Sequence, residues 1–282
     1  GTAGTAAASA AVAALGEDAR VGLFNKGELG GLCILRGCMP TKTMLHAGHL
    51  VHEAAAHHTP GIGHGELSID FSAVMANKDA KVARFKRAKL GGIANGGYEV
   101  IDAFARFAGP DTIEAEGELY QFTRGAVFSP GSEVATPPIP GIENVTVWDS
   151  DDVMNIKEVP ESAIVMGGGA IGLELGLFLA RMGCKTIQAN RSRIFSKLDA
   201  ELADEMEAVL RSEPNMELVA PFSAKEIEHK DGKVHLHLDT EDGPRTLVAK
   251  HFVAATGRNA RLENMGLEAA GVAFERGRVQ CD

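Results

Sequence analysis

Two cysteines five residues apart, Cys33 and Cys38, are the side chains of this sequence best suited to redox chemistry. They lie in the run Gly30-Gly31-Leu32-Cys33-Ile34-Leu35-Arg36-Gly37-Cys38-Met39-Pro40-Thr41-Lys42. On a regular helix a five-residue separation puts the two Cα atoms about 8–9 Å apart, beyond disulfide reach. The helix must be distorted between them if they are to pair, and Gly37 gives the backbone that freedom. A bond made under such strain is easily reduced, which suits a working redox pair. Pro40 fixes the chain just after the pair, and Lys42 brings a positive charge near thiols that react as thiolates. A metal site would want a second cysteine pair or a cysteine–histidine spacing. The remaining cysteines, Cys184 and Cys281, are isolated and far along the chain. A structural disulfide is disfavoured in a chain that reads as intracellular.

A second stretch with chemical meaning is Gly167-Gly168-Gly169-Ala170-Ile171-Gly172-Leu173-Glu174. It follows an apolar strand, Ser162–Met166. Helical periodicity then runs over Ile171–Met182, and Lys185–Ala189 reads as the next strand. Gly167, Gly169 and Gly172 satisfy Gly-x-Gly-x-x-Gly with strand, turn, helix and strand all in place, which marks a dinucleotide-binding unit. The glycines admit a pyrophosphate, and the helix dipole favours it. An acid after the second strand would hold the 2′-hydroxyl of NAD. Asn190 stands there instead, followed by Arg191, Arg193 and Lys197, and this basic cluster favours the 2′-phosphate of NADP.

The front of the chain reads as the second half of another such unit. Gly1 and Gly4 fit the second and third glycines of the pattern, a small-residue helix runs to about Leu15, and Arg20–Phe24 is the following strand. The first glycine and its strand would lie upstream of residue 1, and the sequence lacks an initiator methionine, so it is expected to be a fragment or a partial reading. The strand leads to Asn25 where an acid would bind an adenosine ribose; its amide can hydrogen-bond a hydroxyl without bringing a charge. Beyond Lys42 a helix carries His46, His49 and His52 at spacing three, followed by His57 and His58. With no carboxylate or cysteine to complete a ligand set, a solvated face is expected rather than a metal site. Phe71–Ala94 reads as a further helix ending at Gly96-Gly97. Strands are expected over Tyr98–Phe107, Thr112–Glu116, Leu119–Phe122 and, buried, Gly125–Gly131. Thr136–Gly141 reads as a stiff polyproline-like linker. Further on, Asp199–Ser212 is an amphipathic helix, Asp231-Gly232 a hairpin turn, and Thr246–Ala254 a strand ending in Ala-Thr-Gly-Arg, residues 255–258.

The cysteine segment resembles the redox-active segment of the pyridine nucleotide-disulfide oxidoreductases, the flavoproteins that include dihydrolipoamide dehydrogenase, glutathione reductase and mercuric reductase. Their pattern in outline is Gly-Gly-x-Cys-x-x-x-x-Gly-Cys-x-Pro-x-Lys, with Leu32 here where a threonine is usual. The resemblance extends over nearly the whole chain and implies an α/β fold with two Rossmann-like, three-layer ββα dinucleotide-binding domains. It implies residues 1–148 as the FAD-binding domain, its first strand missing, 149–268 as the NAD(P)-binding domain, and 269–282 as the start of a return to the FAD domain.

By the same resemblance NAD(P)H passes a hydride to the flavin, which reduces a Cys33–Cys38 disulfide. Cys38 is the thiol beside the flavin, whose thiolate gives a charge-transfer complex. Cys33 is the exchange thiol, and Lys42 pairs with Glu174 near the flavin N5. FAD contacts are implied at Gly1, Gly4, Asn25, Lys26, Gly30, Gly31, Leu32, Lys42, Ala105 and Gly131. Nicotinamide nucleotide contacts are implied at Gly167, Gly169, Ala170, Ile171, Gly172, Asn190, Arg191 and Lys197, with Gly257 in the Ala-Thr-Gly-Arg motif. Ser129-Pro130-Gly131 departs from the usual Ala-Thr-Gly. The family's later FAD segment and its C-terminal interface domain, which dimerises and supplies a His–Glu acid–base pair, have no counterpart here. This exact polypeptide is therefore expected to retain FAD weakly or not at all, and not to turn over a disulfide.

Composition bounds the remaining classes. The 282 residues are 45% hydrophobic, enough for two domain cores. A net charge of −10 argues against nucleic acid as a main partner. No apolar run reaches the length of a membrane span, and the Ala-rich start lacks the features of a signal peptide. A cytoplasmic protein is expected, acting on a small-molecule or protein-bound disulfide and dimeric in its full-length form. The leading reading is a dihydrolipoamide dehydrogenase-like reductase. The alternatives are a mercuric reductase-like metal-ion reductase, which the Asn-Arg-Ser-Arg-Ile-Phe-Ser-Lys run resembles, and a nucleotide-binding fragment without catalysis.

Overall fold

The computed structural model describes residues 1–16, 19–56 and 67–281; His57 and His58 lie outside them. The fold is α/β, and the chain divides into two compact units. The larger comprises Arg36–Val82 and Val134–Gly257, the smaller Gly1–Leu35, Ala83–Glu133 and Arg258–Asp282.

The larger unit is built on five parallel strands in the order Met216–Val219, Lys185–Ala189, Ser162–Met166, His251–Ala254, Val147–Trp148. A parallel sheet needs both faces covered, and its strands read as continuous apolar runs. Here the three-stranded antiparallel meander Ser223–Lys230, Lys233–Thr240, Gly243–Ala249 supplies one cover. Ile227, Leu236 and Leu247 pack with Ile164 and Phe252 of the sheet. Two helices, Ala170–Arg181 and Cys38–Ala56, lie over the other face, where Met44, Leu175, Phe178 and Leu179 meet Val165 and Val253. Meander, sheet and helices make the three-layer ββα arrangement. Its helix-to-strand crossover, Ser162–Met166 through Ala170–Arg181 to Lys185–Ala189, places the glycine turn at the carboxyl end of the first strand, the usual ligand position of such sheets.

The smaller unit holds the helix Thr2–Leu15, the parallel pair Gly22–Phe24 with Glu99–Ile101, and the antiparallel strands Ala105–Gly109, Thr112–Ala115 and Glu118–Gln121. The turn between the last two uses Glu116 and Gly117, both at positive φ (52° and 88°), as a two-residue hairpin requires. Asp231 and Gly232 do the same in the meander, at 52° and 71°.

Three sequence expectations need correction. Gly125–Gly131 is not a buried strand: the segment is irregular and Val127 is 73% exposed, because no described strand offers it a ladder. The strand that forms instead is Ser132–Val134, against Arg258–Ala260. Tyr98–Phe107 breaks into two strands where Ala103 N–H bonds back to Ile101 O at 2.9 Å. Thr246–Ala254 likewise splits at Lys250, whose N–H bonds Ser162 Oγ at 3.0 Å, and the chain leaves the meander for the parallel sheet. The Thr136–Gly141 linker is more than a spacer. Ile139 is buried in the core, Pro140 O accepts from Ile227 N–H at 2.9 Å, and a Cβ on Gly141 would stand 2.2 Å from Ile227 O.

Candidate active site

The glycine turn of the larger unit is shaped by close backbone approaches. Gly167 is buried at φ +144°, and a Cβ there would lie 2.2 Å from Ala255 O. A Cβ on Gly172 would lie 2.2 Å from Gly167 O. Gly169, by contrast, meets nothing within 4 Å and is the exposed N-cap of the helix Ala170–Arg181, with no side-chain cap and no acid in its first turn. Two of the glycines thus close the turn and seat the helix, and the third leaves the helix amino end open. Ala170 and Ile171, both exposed, form the first turn. An uncapped, positively polarised helix end beside an open glycine fits a pyrophosphate. Gln188, fully buried on the next strand, donates from Nε2 to Gly167 O at 2.7 Å and braces the turn from behind. Nothing in the sequence singled it out.

After that strand, Asn190 Oδ1 accepts from Gly168 N–H at 3.0 Å. Its Nδ2 donates to Ser192 O at 2.7 Å and to Arg193 O at 3.1 Å. Arg193 is held by Asp204 at 2.6 Å and by Ala200 O at 3.2 Å. Arg191 and Lys197 remain exposed, with no ion-pair partner among the described residues.

The cysteine segment folds as two helices, Leu32–Arg36 and Cys38–Ala56, interrupted at Gly37. Cys33 is half-buried and Cys38 exposed. Cys38 opens a 19-residue helix, at the positive end of its dipole. Pro40 sits in the first turn, where a missing N–H costs nothing. Thr41 holds the break by donating its hydroxyl to Gly37 O at 2.7 Å. One turn on, Lys42 Nζ lies 2.5 Å from Glu174 Oε1. Lys42 is largely exposed, so the pair adds little to stability. Its consequence is positional, since it joins the Cys38 helix to the helix of the glycine turn. Of the other thiols, Cys281 is exposed, whereas burial pushes the Cys184 thiol up to about 11. An alkylating agent at pH 8 should therefore modify Cys38 and Cys281 within minutes and leave Cys184 unmodified until the chain is unfolded; mass spectrometry of the peptides checks this.

His46 and His49 face solvent, as a polar helix face should. His52 does not: its Nδ1 lies 3.1 Å from Oε1 of the buried Glu213, which also takes Arg181. Lys78 was equally hidden from sequence reasoning. It is buried, donates to Met154 O at 2.7 Å and pairs with Asp79 at 2.6 Å.

In the smaller unit Gly1 precedes the helix Thr2–Leu15, which has no side-chain cap and no acid in its first turn. A Cβ on Gly31 would lie 2.8 Å from Thr2 N, so Gly31, at φ +83°, runs close against that helix end, and Gly30, at φ +138°, is packed by the Leu35 side chain. Gly4 packs against Leu23 of the strand, its Cβ position 3.4 Å away. These features fit the phosphates of a dinucleotide. Asn25 Nδ2 donates to Gly27 O at 3.0 Å, and its N–H extends the ladder to Ile101 O at 2.9 Å. Lys26 pairs with Glu116 at 3.3 Å. Leu32 is exposed at the head of its helix, and Ala105 begins its strand half-buried. Gly131 is exposed at φ +78°, its carbonyl accepting from Arg261 N–H at 3.2 Å. Gly257, the last residue of the larger unit, stands at φ +133°, and its carbonyl accepts from Ala135 N–H at 3.0 Å.

Comparison with known proteins places these features in a family. Residues 1–282 match the family model described as Pyridine nucleotide-disulphide oxidoreductase. Mercuric reductase of Streptomyces lividans is 30% identical over 99% of this chain and 60% of its own length. Dihydrolipoyl dehydrogenase of Thermus scotoductus is 32% identical over 90% of this chain and 55% of its own. The Cu(II) complex of the HOCl-induced flavoprotein disulfide reductase RclA from Escherichia coli superposes with a TM-score of 0.82 at 26% identity, over 100% of this chain and 60% of that one. The chain thus spans a little under two thirds of the length of these relatives. Proteins of this kind use FAD and NAD(P)H, and the open glycine turns and helix ends of both units suit those two dinucleotides. With the model match running from the first residue to the last, the chain belongs to the pyridine nucleotide-disulphide oxidoreductase family.

Proposed function

We propose that this chain carries the nucleotide-binding and redox-active part of an NADPH-preferring flavoprotein disulfide reductase, cytoplasmic and dimeric in its whole form. The observation that carries the reading is the Lys42–Glu174 contact, which joins the helix of Cys38 to the helix of the glycine turn. FAD, when bound, supplies the two-electron relay between NAD(P)H and a disulfide. The residues of the chain do the rest. Gly167, Gly169 and Gly172, with Ala170 and Ile171, hold the nicotinamide nucleotide by its pyrophosphate. Arg191 and Lys197 offer charge to a 2′-phosphate, and this supports NADPH over NADH. Gly1, Gly4, Gly30 and Gly31 receive the FAD phosphates. Leu32, Asn25, Lys26, Ala105 and Gly131 border that side of the reading, and Gly257 goes with the nicotinamide nucleotide. Cys33 is the thiol that exchanges with the substrate disulfide, and Cys38 is its partner beside the flavin. Lys42 holds a positive charge by the redox centre, and Glu174 fixes where that charge stands.

A dihydrolipoamide-type disulfide is the first substrate class to test. Reduction of a thiophilic metal ion is a second reading, favoured by the 30% identity to a mercuric reductase over nearly the whole chain. The visible spectrum of the natively purified protein, before and after anaerobic NADPH or NADH, tests the proposal. A flavin spectrum that gains a long-wavelength band, faster with NADPH, supports it. Consumption of NADPH by the full-length parent on adding lipoamide or Hg(II) then separates the two substrate classes. A colourless protein that binds nucleotide without redox change would overturn the catalytic reading for this polypeptide.

A further inference from the structure

Asn190 stands where an acid would select NAD, yet its amide is spent elsewhere. Oδ1 takes Gly168 N–H at 3.0 Å, and Nδ2 serves Ser192 O at 2.7 Å and Arg193 O at 3.1 Å. The main-chain N–H of Asn190 bonds Val219 O at 3.0 Å, which anchors the residue to the edge strand of the sheet. A Cβ on Gly168 would come within 2.4 Å of Nδ2, so the amide lies directly on the glycine turn. A further stitch, Phe195 N–H to Gly168 O at 2.8 Å, closes the loop 191–195 onto the same glycine, with Phe195 held at φ +47°. Both ends of one side chain therefore fix two things at once: the turn that receives the pyrophosphate, and the loop that displays Arg191.

We propose that Asn190 is a positioning residue that locks the glycine turn to the basic loop, and that it is not a ribose ligand. Selectivity between the two nucleotides then rests with Arg191, and Asn190 sets affinity for both alike. The inference deepens the nicotinamide-binding reading above and rests on it. It leads to an unexpected outcome for the usual engineering change. A carboxylate at position 190 keeps an acceptor for Gly168 N–H, but it has no donor for Ser192 O and Arg193 O. Three acceptor oxygens, the second carboxylate oxygen and the carbonyls of Ser192 and Arg193, would then face one another, and the loop must open. Asn190→Asp should consequently fail to create an NADH enzyme.

The test uses three variants of the chain, Asn190→Asp, Asn190→Ala and Arg191→Ala, with calorimetric titration by NADPH and NADH and amide hydrogen exchange of the nucleotide-free protein. Both Asn190 variants are expected to bind NADPH and NADH about fivefold or more weaker, with the preference between them unchanged within about twofold. The Gly168 and Phe195 amides should exchange about tenfold faster, while core amides such as that of Leu179 keep their protection. Arg191→Ala should weaken NADPH alone. Tighter NADH binding by Asn190→Asp would overturn the proposal, as would parental affinities and parental Gly168 exchange in Asn190→Ala. A parent chain that binds neither nucleotide would sink the nicotinamide reading instead, and the exchange rates would still decide whether Asn190 is the clamp.

Discussion

Replacing Gly167 by alanine should lower stability by about 3 kcal/mol or more and abolish nicotinamide nucleotide binding. Two costs add at this position. The backbone stands at φ +144°, a region that L side chains rarely enter, and the new methyl would lie 2.2 Å from Ala255 O and 2.6 Å from its carbonyl carbon. Both opposing atoms are main chain, at the end of the strand His251–Ala254 in the middle of the sheet. They cannot swing aside as a flexible side chain would, so strand and turn must separate. The melting temperature should fall by about 10 °C. Gly169→Ala is the control that separates fold from function. Its φ is −92° and nothing lies within 4 Å, so the melting temperature should hold. The added methyl would nevertheless project beside the open helix end, and nucleotide binding should weaken by about tenfold. Calorimetric melting and nucleotide titration on the two variants measure both effects. Equal melting temperatures for Gly167→Ala and the parent would refute the steric account.

The contrast between these glycines shows what a sequence discloses. Gly-x-Gly-x-x-Gly is legible because the turn and the helix start that it serves are set within a few residues, although the carbonyl that crowds Gly167, Ala255 O, lies far along the chain. The break at Gly37 is legible for the same reason, since pairing of Cys33 with Cys38 would conflict with a continuous helix over the span. The Glu116-Gly117 and Asp231-Gly232 turns are local too. Gly125–Gly131 misled because a short apolar run says nothing about whether a neighbouring strand exists to pair with it, and here none does among the described residues. Thr246–Ala254 misled in a subtler way. Both halves are strands, but they belong to different sheets, and only Ser162, 88 residues earlier, marks the crossing at Lys250.

Polar side chains are the least legible in a sequence. By analogy with the acid it replaces, Asn190 is expected to turn outward to a ligand. The structure turns it inward, onto a loop whose path no periodicity encodes. Gln188 belongs to an alternating strand and looks like a surface position, yet it is fully buried against the glycine turn. Glu213 and Lys78 sit in charged stretches, and the groups that bury them, His52 and Arg181 for Glu213 and Met154 O for Lys78, are far away in sequence. What a buried polar group is for becomes visible only when its partners are in hand, because the desolvation cost forces a pairing without dictating which one.

Glu213 is the position where that cost should be largest. Its side chain is only 3% exposed and that of Arg181 14%. Arg181 donates to Oε2 through Nε at 3.1 Å and through Nη2 at 2.9 Å, while His52 Nδ1 stands 3.1 Å from Oε1. Both carboxylate oxygens are thus engaged, one by the last residue of the glycine-turn helix and one by the Cys38 helix. Together with Lys42–Glu174 near the other end, Glu213 holds these two helices in one register. Glu213→Ala leaves the Arg181 guanidinium mostly buried with its partner gone, which should destabilise the protein by about 3–5 kcal/mol. Much of that loss belongs to the stranded charge and not to the bond. The double variant Glu213→Leu, Arg181→Met removes both charges and should recover most of it, so the two changes will be strongly non-additive. Urea unfolding of the single and double variants distinguishes the accounts. If the double variant is as unstable as Glu213→Ala, the carboxylate acts by joining the helices through His52. If it returns close to the parent, the buried charge alone sets the cost and the helix register survives without it. The recovery is the expected result, because Met44, Leu175, Phe178 and Leu179 already seal that face of the sheet with apolar contacts, and those contacts do not depend on the ion pair.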